Sequence, residues 1–186
     1  MLKKKIGVLS LQGAFALHRL HIEALGAEYC EVSHKRDLDA IDALILPGGE
    51  SATMLKLIEI GGMEDTLREF STEKPTWGIC AGAILLAHSV SNPRQKSLAA
   101  IDVDIVRNSF GRQLDSRYEE INHYCVSYIR APKICRVGKG VEIFAHTGPD
   151  PVWVEAGNLM LTTFHPETNL QAPSPWHQRL VGRLQT

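Results

Sequence analysis

The chain has few cysteines, no long apolar run, no excess of either charge and no low-complexity tract, and each lack removes a class of protein. Its four cysteines, Cys30, Cys80, Cys125 and Cys135, are scattered through 186 residues without a CxxC pair, too thin a density for a disulfide scaffold. No apolar run approaches the roughly 18–20 residues that cross a bilayer, so no membrane span is expected. Lys plus Arg total 20 against 21 Asp plus Glu, a net charge of -1. Nucleic-acid binding rests on clustered cations that neutralise phosphates, and no basic block is present, so nucleic acid is not an expected partner. Linkers and internal repeats are also missing, and a single domain over residues 1–186 is the expectation. A chain of this size buries about 70% of the surface its unfolded form exposes, and needs neither disulfide nor metal to make a core.

The opening has the outline of an export signal, with Lys3-Lys4-Lys5 ahead of Ile6 to Leu11 and small residues at Ala14 and Ala16. The apolar part is shorter than the usual run of about 7–15 residues, and Gln12-Gly13 interrupts it. A first buried strand is the better reading, and with unpaired cysteines it makes the cytoplasm the expected compartment.

Hydrophobic patterning alternates short apolar runs with helical spacing. Strands are expected at Lys5 to Leu9, Glu28 to Val32, Ala43 to Leu46 and Pro75 to Ile79. Helices are expected at Ala14 to Leu25, after Ser51 as cap until Gly61-Gly62, at Met63 to Phe70 and at Ala81 to Val90. From Asp102 onward, short β-like runs at 103–106, 124–129, 141–144 and 159–164 are read as strands extending the same sheet, with a last short helix at 176–184. The sum is an α/β fold: a three-layer α/β/α sandwich with a mostly parallel central sheet and antiparallel additions.

Gly78-Ile79-Cys80-Ala81-Gly82 carries the strongest chemical signal. It has the form of a nucleophile elbow with Cys in the Ser position, small residues on either side allowing a sharp strand-to-helix turn at the sheet's carboxyl edge. The amino end of the following helix favours an anion, and so a Cys80 thiolate. His165-Pro166-Glu167 follows another apolar strand. Proline keeps His165 extended, and residues i and i+2 of an extended chain share a face, so Glu167 can orient a basic imidazole. Pro47-Gly48-Gly49-Glu50-Ser51 closes a third strand, where a Gly49 N–H joined by that of Ala81 makes a two-donor oxyanion hole. Taken singly, these segments also read as an inert buried cysteine, a surface turn and a capped strand-to-helix turn.

Together they resemble the class I, triad-type glutamine amidotransferases, and among these the glutaminase subunits of pyridoxal 5'-phosphate synthase. Three further stretches carry the narrower resemblance: Gly7-Val8-Leu9-Ser10-Leu11-Gln12-Gly13, Arg107-Asn108-Ser109-Phe110-Gly111-Arg112-Gln113 and Ile129-Arg130-Ala131-Pro132. The resemblance implies a flavodoxin-like fold with Cys80 as nucleophile and His165 and Glu167 completing the triad. It implies a glutamine pocket lined by Gly49, Glu50, Ser51, Arg107, Ile129 and Arg130. The implied reaction is hydrolysis of L-glutamine through a thioester, with ammonia passed to a separate synthase subunit and no metal or organic cofactor. A substrate with an α-carboxylate needs a cation, which Arg107 or Arg130 can supply. The chain departs from the family pattern at Ile79, Ala83 and Thr168, changes expected to alter packing but not chemistry, and at Leu17, which replaces a commonly acidic residue near the partner-facing motif.

Two rivals stay open on sequence: another thiol hydrolase of the same architecture, such as a γ-glutamyl hydrolase or a peptidase-like relative, and a catalytically silent regulatory subunit. His18 and His21, one helical turn apart, lack companions for a metal site. His34, His88, His123, His146 and His177 are read as surface or satisfied residues, and Cys30, Cys125 and Cys135 as apolar fillers.

Overall fold

In a computed structural model of the protein, residues 3–108 and 117–185 are described, so the 109–113 part of the motif beginning at Arg107 lies outside the described residues. The first half alternates as the apolar runs dictate. β1 (Lys5–Leu9) leads through a 3-10 turn at Phe15–Leu17 into α1 (His18–Glu23), followed by β2 (Glu28–Val32), a 3-10 turn at Lys35–Ala40 and β3 (Ala43–Leu46). Then come α2 (Ser51–Ile60), α3 (Glu64–Glu73), β4 (Thr76–Ile79), α4 (Ala81–Leu86) and β5 (Ala87–Ser91). The second half holds β6 (Ile101–Val106), β7 (Arg117–Ile121), β8 (Tyr124–Tyr128), β9 (Lys133–Val137), β10 (Glu142–Thr147), β11 (Asp150–Ala156), β12 (Leu159–Thr162) and α5 (Pro175–Gly182).

Among the described residues, a seven-stranded sheet runs in the order β10-β11-β12-β4-β3-β1-β2. From β2 to β12 all neighbours are parallel, and β11 and β10 add antiparallel at one edge. Strands β3, β4 and β12 are buried throughout, as expected for parallel strands covered on both faces. Period-two alternation sends their side chains to two separate layers. Leu44 and Leu46 pack with Met54, Ile58, Leu67 and Leu85 of α2, α3 and α4. Ala43 and Ile45 join Ile22 of α1 and Trp176 and Leu180 of α5 on the other face. That is the α/β/α sandwich the sequence implied.

Four details differ from the sequence reading. The helix expected over 14–25 is split, because its first turn is 3-10 and only His18–Glu23 is α-helical. The helix expected over 81–90 ends at Leu86, since the carbonyls of Leu85 and Leu86 are taken by the backbone N–H groups of Leu98 and Ala100, at 2.7 and 2.9 Å. Freed from the helix, 87–91 becomes β5 and pairs in parallel with β6. The late strands do not all extend one sheet: β5-β6-β9 and β7-β8 form two smaller sheets, leaving β10, β11 and β12 on the main one. Finally, Cys125 and Cys135 are exposed and fill no core, because each points to the open face of its strand.

The sharpest constraint on packing lies at Gly82, where a β-carbon would collide with the backbone carbonyl of Leu46. Helix α4 therefore rests on β3 backbone to backbone, which seats its amino end at the edge of the sheet. Gly82→Ala is expected to destabilise the fold by about 3 kcal/mol, the upper range for overpacking. An unchanged urea midpoint would contradict this contact.

Candidate active site

Cys80 sits in the turn between β4 and α4 with φ +48° and ψ -99°, a conformation that costs a non-glycine residue about 1–3 kcal/mol. Neighbouring structure enforces it: the Cys80 N–H donates to the Thr162 carbonyl of β12 at 2.9 Å, and its own carbonyl accepts the first bond of α4 from Ile84 at 3.1 Å. The glycines on either side pack against backbone, a β-carbon on Gly78 falling 2.7 Å from the Gly82 carbonyl oxygen. The side chain is 6% exposed and its Sγ lies 4.0 Å from the carbonyl oxygen of Ile129.

His165 follows β12 and is pinned to β8 by two backbone bonds with Ser127, at 2.7 and 3.3 Å. Its Nδ1 is 2.7 Å from Glu167 Oε1, and Glu167 is 1% exposed. His165 is extended, as expected before proline, but Pro166–Thr168 forms a 3-10 turn rather than continuing the extended chain. The turn, not strand alternation, swings Glu167 back beneath the imidazole. Burial disfavours charge on His165, yet the Glu167 carboxylate and the Cys80 sulfur outweigh it and hold the imidazole well above its ordinary value. Burial likewise opposes ionisation of Glu167, and His165 and His18 reverse that effect, lowering it.

A cavity of about 320 Å³ opens over these groups, within the range of small-molecule sites. Gly49, Glu50, Ser51, Cys80, Arg107, Ile129, Arg130 and His165 all line it, so the structure brings these sequence-derived residues to one place. Ala81 lies behind Cys80 at the start of α4, and Glu167 lies behind His165. The expected Ser51 cap is replaced by Glu50, whose carboxylate accepts from the N–H groups of Ala52 and Thr53 at 3.2 and 2.7 Å. Burial works against that charge, but these donors and Arg107 hold the carboxyl below the usual range. Arg107 is 3.2 Å from Glu50, so this cation is already paired, whereas Arg130 lines the cavity with an exposed side chain and φ +47°.

Sequence reasoning missed four contributors. Gly48 makes room for the imidazole, since a β-carbon there would overlap His165 Cε1. Gln12 accepts from the Glu50 N–H at 2.8 Å and so shapes the Pro-Gly-Gly loop from β1. Thr168, read as a packing change, ties His165 down, its hydroxyl donating to the His165 carbonyl at 3.0 Å and meeting Ser127 Oγ at 2.9 Å. His177, grouped with surface or satisfied histidines, is fully buried with His18 and His21 behind Glu167. The position of Gln12 beside Gly13 after a first strand was a usable signal; the contacts of Gly48 with His165, Thr168 with Ser127 and His177 with His18 join segments far apart in sequence.

The profile of the SNO glutamine amidotransferase family matches residues 8–175. A "Pyridoxal 5'-phosphate synthase subunit PdxT" of Solibacter usitatus is 44% identical over 176 residues, covering 88% of this chain and 92% of the relative. The subunit of the same description from Caldicellulosiruptor saccharolyticus is 42% identical over 189 residues, covering 97% and 98%. Among solved structures, one described as a glutamine amidotransferase superposes with a TM-score of 0.86 at 39% identity, covering 95% of this chain and 98% of its own. The structure of PurLQS from Thermotoga maritima has the same fold, with a TM-score of 0.66 at 16% identity over 98% of this chain and 100% of its own.

The buried histidines make stability depend on pH. Burial pushes the His18 imidazole down to about 4, and lowers His177 and His21 as well. In the unfolded chain all three bind protons near 6.5. Their folded values are depressed, so the stability they confer is present above 6.5 and lost as pH falls towards 4. His165 is raised, so it works in the opposite sense: the stability it confers is fully present below 6.5 and is lost as pH rises towards its folded value, which offsets part of the loss on acidification. Unfolding free energy is therefore expected to fall between pH 7 and pH 5, by about 2 kcal/mol from His18 alone at ~1.4 kcal/mol per unit. Urea titrations at the two pH values check this, and a midpoint that holds or rises on acidification contradicts it.

Proposed function

The chain belongs to the SNO glutamine amidotransferase family, and from that premise we propose that it is a glutaminase in which Cys80, His165 and Glu167 hydrolyse L-glutamine to L-glutamate and ammonia. The proton of the Cys80 thiol passes to His165 Nε2, and the Glu167 carboxylate at 2.7 Å offsets the resulting positive charge. Sulfur attacks the side-chain carbonyl carbon. The oxyanion so formed is held by the backbone N–H groups of Gly49 and Ala81, the latter at the amino end of α4, where unpaired donors face the charge. His165 returns its proton to nitrogen, ammonia departs, and a thioester remains. A water molecule, deprotonated by the same imidazole, then attacks the thioester, and glutamate leaves as the thiol is restored.

Arg130 and the loop of Gly49, Glu50 and Ser51 bind the amino-acid end of glutamine, with Arg107 fixing Glu50 in place. We further propose that the ammonia passes to a synthase subunit that builds pyridoxal 5'-phosphate, and that the reaction takes place in the cytoplasm. Among the described residues no helix is long and apolar enough to cross a membrane.

The observation that carries this reading is the 2.7 Å pair of His165 and Glu167 lining and backing the cavity that holds a strained Cys80. Cys80→Ala is expected to abolish glutamate release when the protein is mixed with its synthase subunit and glutamine, while association between the two persists. Turnover retained by Cys80→Ala would overturn the nucleophile. Wild-type association without any glutamate would make the protein a silent regulator, and cleavage of γ-glutamyl peptides with no response to glutamine would make it another hydrolase. Gly48→Ala, which displaces the imidazole, is expected to lower kcat by about 100-fold, in keeping with the ~10²–10⁴-fold value of acid–base catalysis. A Gly48→Ala enzyme as active as wild type would refute the close approach of His165 to that loop.

A further inference from the structure

Behind the triad carboxylate lies a group of buried polar side chains that the hydrolysis itself does not use. His18 of α1, His177 of α5 and Ser174, the residue that caps α5, are all at 0% exposure. Ser174 Oγ lies 2.6 Å from His177 Nδ1, and His177 Nε2 lies 2.9 Å from His18 Nδ1. His21 stacks on His177 with ring centroids 4.5 Å apart. Two buried atoms, one on a histidine of the group and one on the carboxylate, have no hydrogen-bond partner among the described residues: His18 Nε2 and Glu167 Oε2. One is a ring nitrogen able to donate, the other a carboxylate oxygen able only to accept. Their side chains are near enough for each to shift the ionisation of the other.

Chemistry fixes the direction of the chain of bonds. If His18 donated from Nδ1 to His177, its Nε2 would carry only a lone pair, and neither it nor Glu167 Oε2, both buried without a partner, could gain a donor from the other. The favourable order has the Ser174 hydroxyl donating to His177 Nδ1, His177 Nε2–H donating to His18 Nδ1, and His18 Nε2–H turned to Glu167. Ser174 Oγ meanwhile accepts from the His177 backbone N–H at 3.4 Å, leaving its own proton for the ring. His21 is fixed independently, because the Ser174 backbone N–H donates to its Nδ1 at 3.1 Å. Its Nε2 must then carry the proton, and among the described residues that atom too is buried without a hydrogen-bond partner.

We propose that His18, with His177 and Ser174 behind it, is a positioning residue for the triad: the relay Ser174 to His177 to His18 presents an Nε2–H donor to the outer oxygen of Glu167. It thereby holds the carboxylate at the angle that orients His165. A neutral relay suits the task. A cation behind Glu167 would compete with His165 for the carboxylate charge, whereas a neutral donor satisfies the second oxygen and leaves the first to the imidazole. The groups facing His18 are Glu167, His165, His21 and His177, and burial keeps His18 and His177 uncharged at neutral pH. The inference rests on the glutaminase reading for its kinetic arm and is independent of it for its spectroscopic arm.

In the complex with synthase subunit, His18→Leu is expected to lower kcat for glutamine by about 10–100-fold, the range for groups that orient a functional side chain from behind, with KM changed less than about 2-fold. His18→Gln supplies an acceptor for His177 and a donor for Glu167, and is expected to recover most of kcat. A purely structural role for His18 would not distinguish Gln from Leu by kcat at equal folded fraction. Leu as active as wild type, or Gln no better than Leu, overturns the proposal. Nitrogen-15 spectra of the labelled wild-type protein provide the second measurement and require no variant to fold. His18 and His177 are expected as neutral Nε2–H tautomers from pH 5.5 to 8, and an Nδ1–H tautomer or a cationic form of either at pH 6.5 overturns the relay. If wild-type complex fails to hydrolyse glutamine, the glutaminase reading falls, and the tautomers still decide the relay.

Discussion

A carboxylate with no solvent exposure governs the architecture around the cavity. Removing an ionised Glu167 side chain from water costs several kcal/mol unless the charge is matched by a cation and its oxygens find donors. His165 matches it at 2.7 Å on one oxygen. The requirement propagates outward from there. His165 must be held against movement, which the Ser127 bridge and the Thr168 hydroxyl accomplish, and space must exist for its ring, which Gly48 provides by lacking a side chain. In the proposed mechanism Glu167 acts on the sulfur at one remove, by orienting the imidazole that takes the proton of Cys80.

The sheet brings the three members to a common rim. β3, β4 and β12 are adjacent and parallel, so their carboxyl ends release the Pro-Gly-Gly loop, the Cys80 elbow and the His165 segment side by side. The register reinforces this placement, because Thr162 accepts the Cys80 N–H from the next strand. Strain in the elbow persists because that bond, the first turn of α4 and the contact of Gly82 with Leu46 all fix the backbone around it. A nucleophile in such a turn is held ready rather than ordered on demand.

Polar burial on the α1 and α5 side has the same logic. Three histidines in an interior otherwise built from Trp77, Phe164 and Trp176 are costly unless each is uncharged and bonded. Ser174 meets two of them, and His18 and His177 meet each other. In the proposed relay, the layer that covers one face of the sheet also supports the Glu167 carboxylate, linking the packing of the terminal helix to the geometry of the rim.

Much of this was legible in the linear chain. Fully apolar runs such as Ala43 to Leu46 marked buried parallel strands, and the Gly-x-Cys-x-Gly, Pro-Gly-Gly-Glu-Ser and His-Pro-Glu segments marked the site, because local backbone demands and chemical type are written in adjacent residues. The sequence also determined the alternation that yields an α/β/α sandwich. Only the tertiary structure decided where α4 stops, since the groups that take its last carbonyls come from residues 98 and 100. It alone divided the late strands among three sheets and paired Arg107 with Glu50. It alone set His177 against His18, across 159 positions of sequence. Neighbouring residues report the torsions and periodicity of their own segment, whereas a hydrogen bond between distant segments forms only when packing brings a donor and an acceptor out of water together.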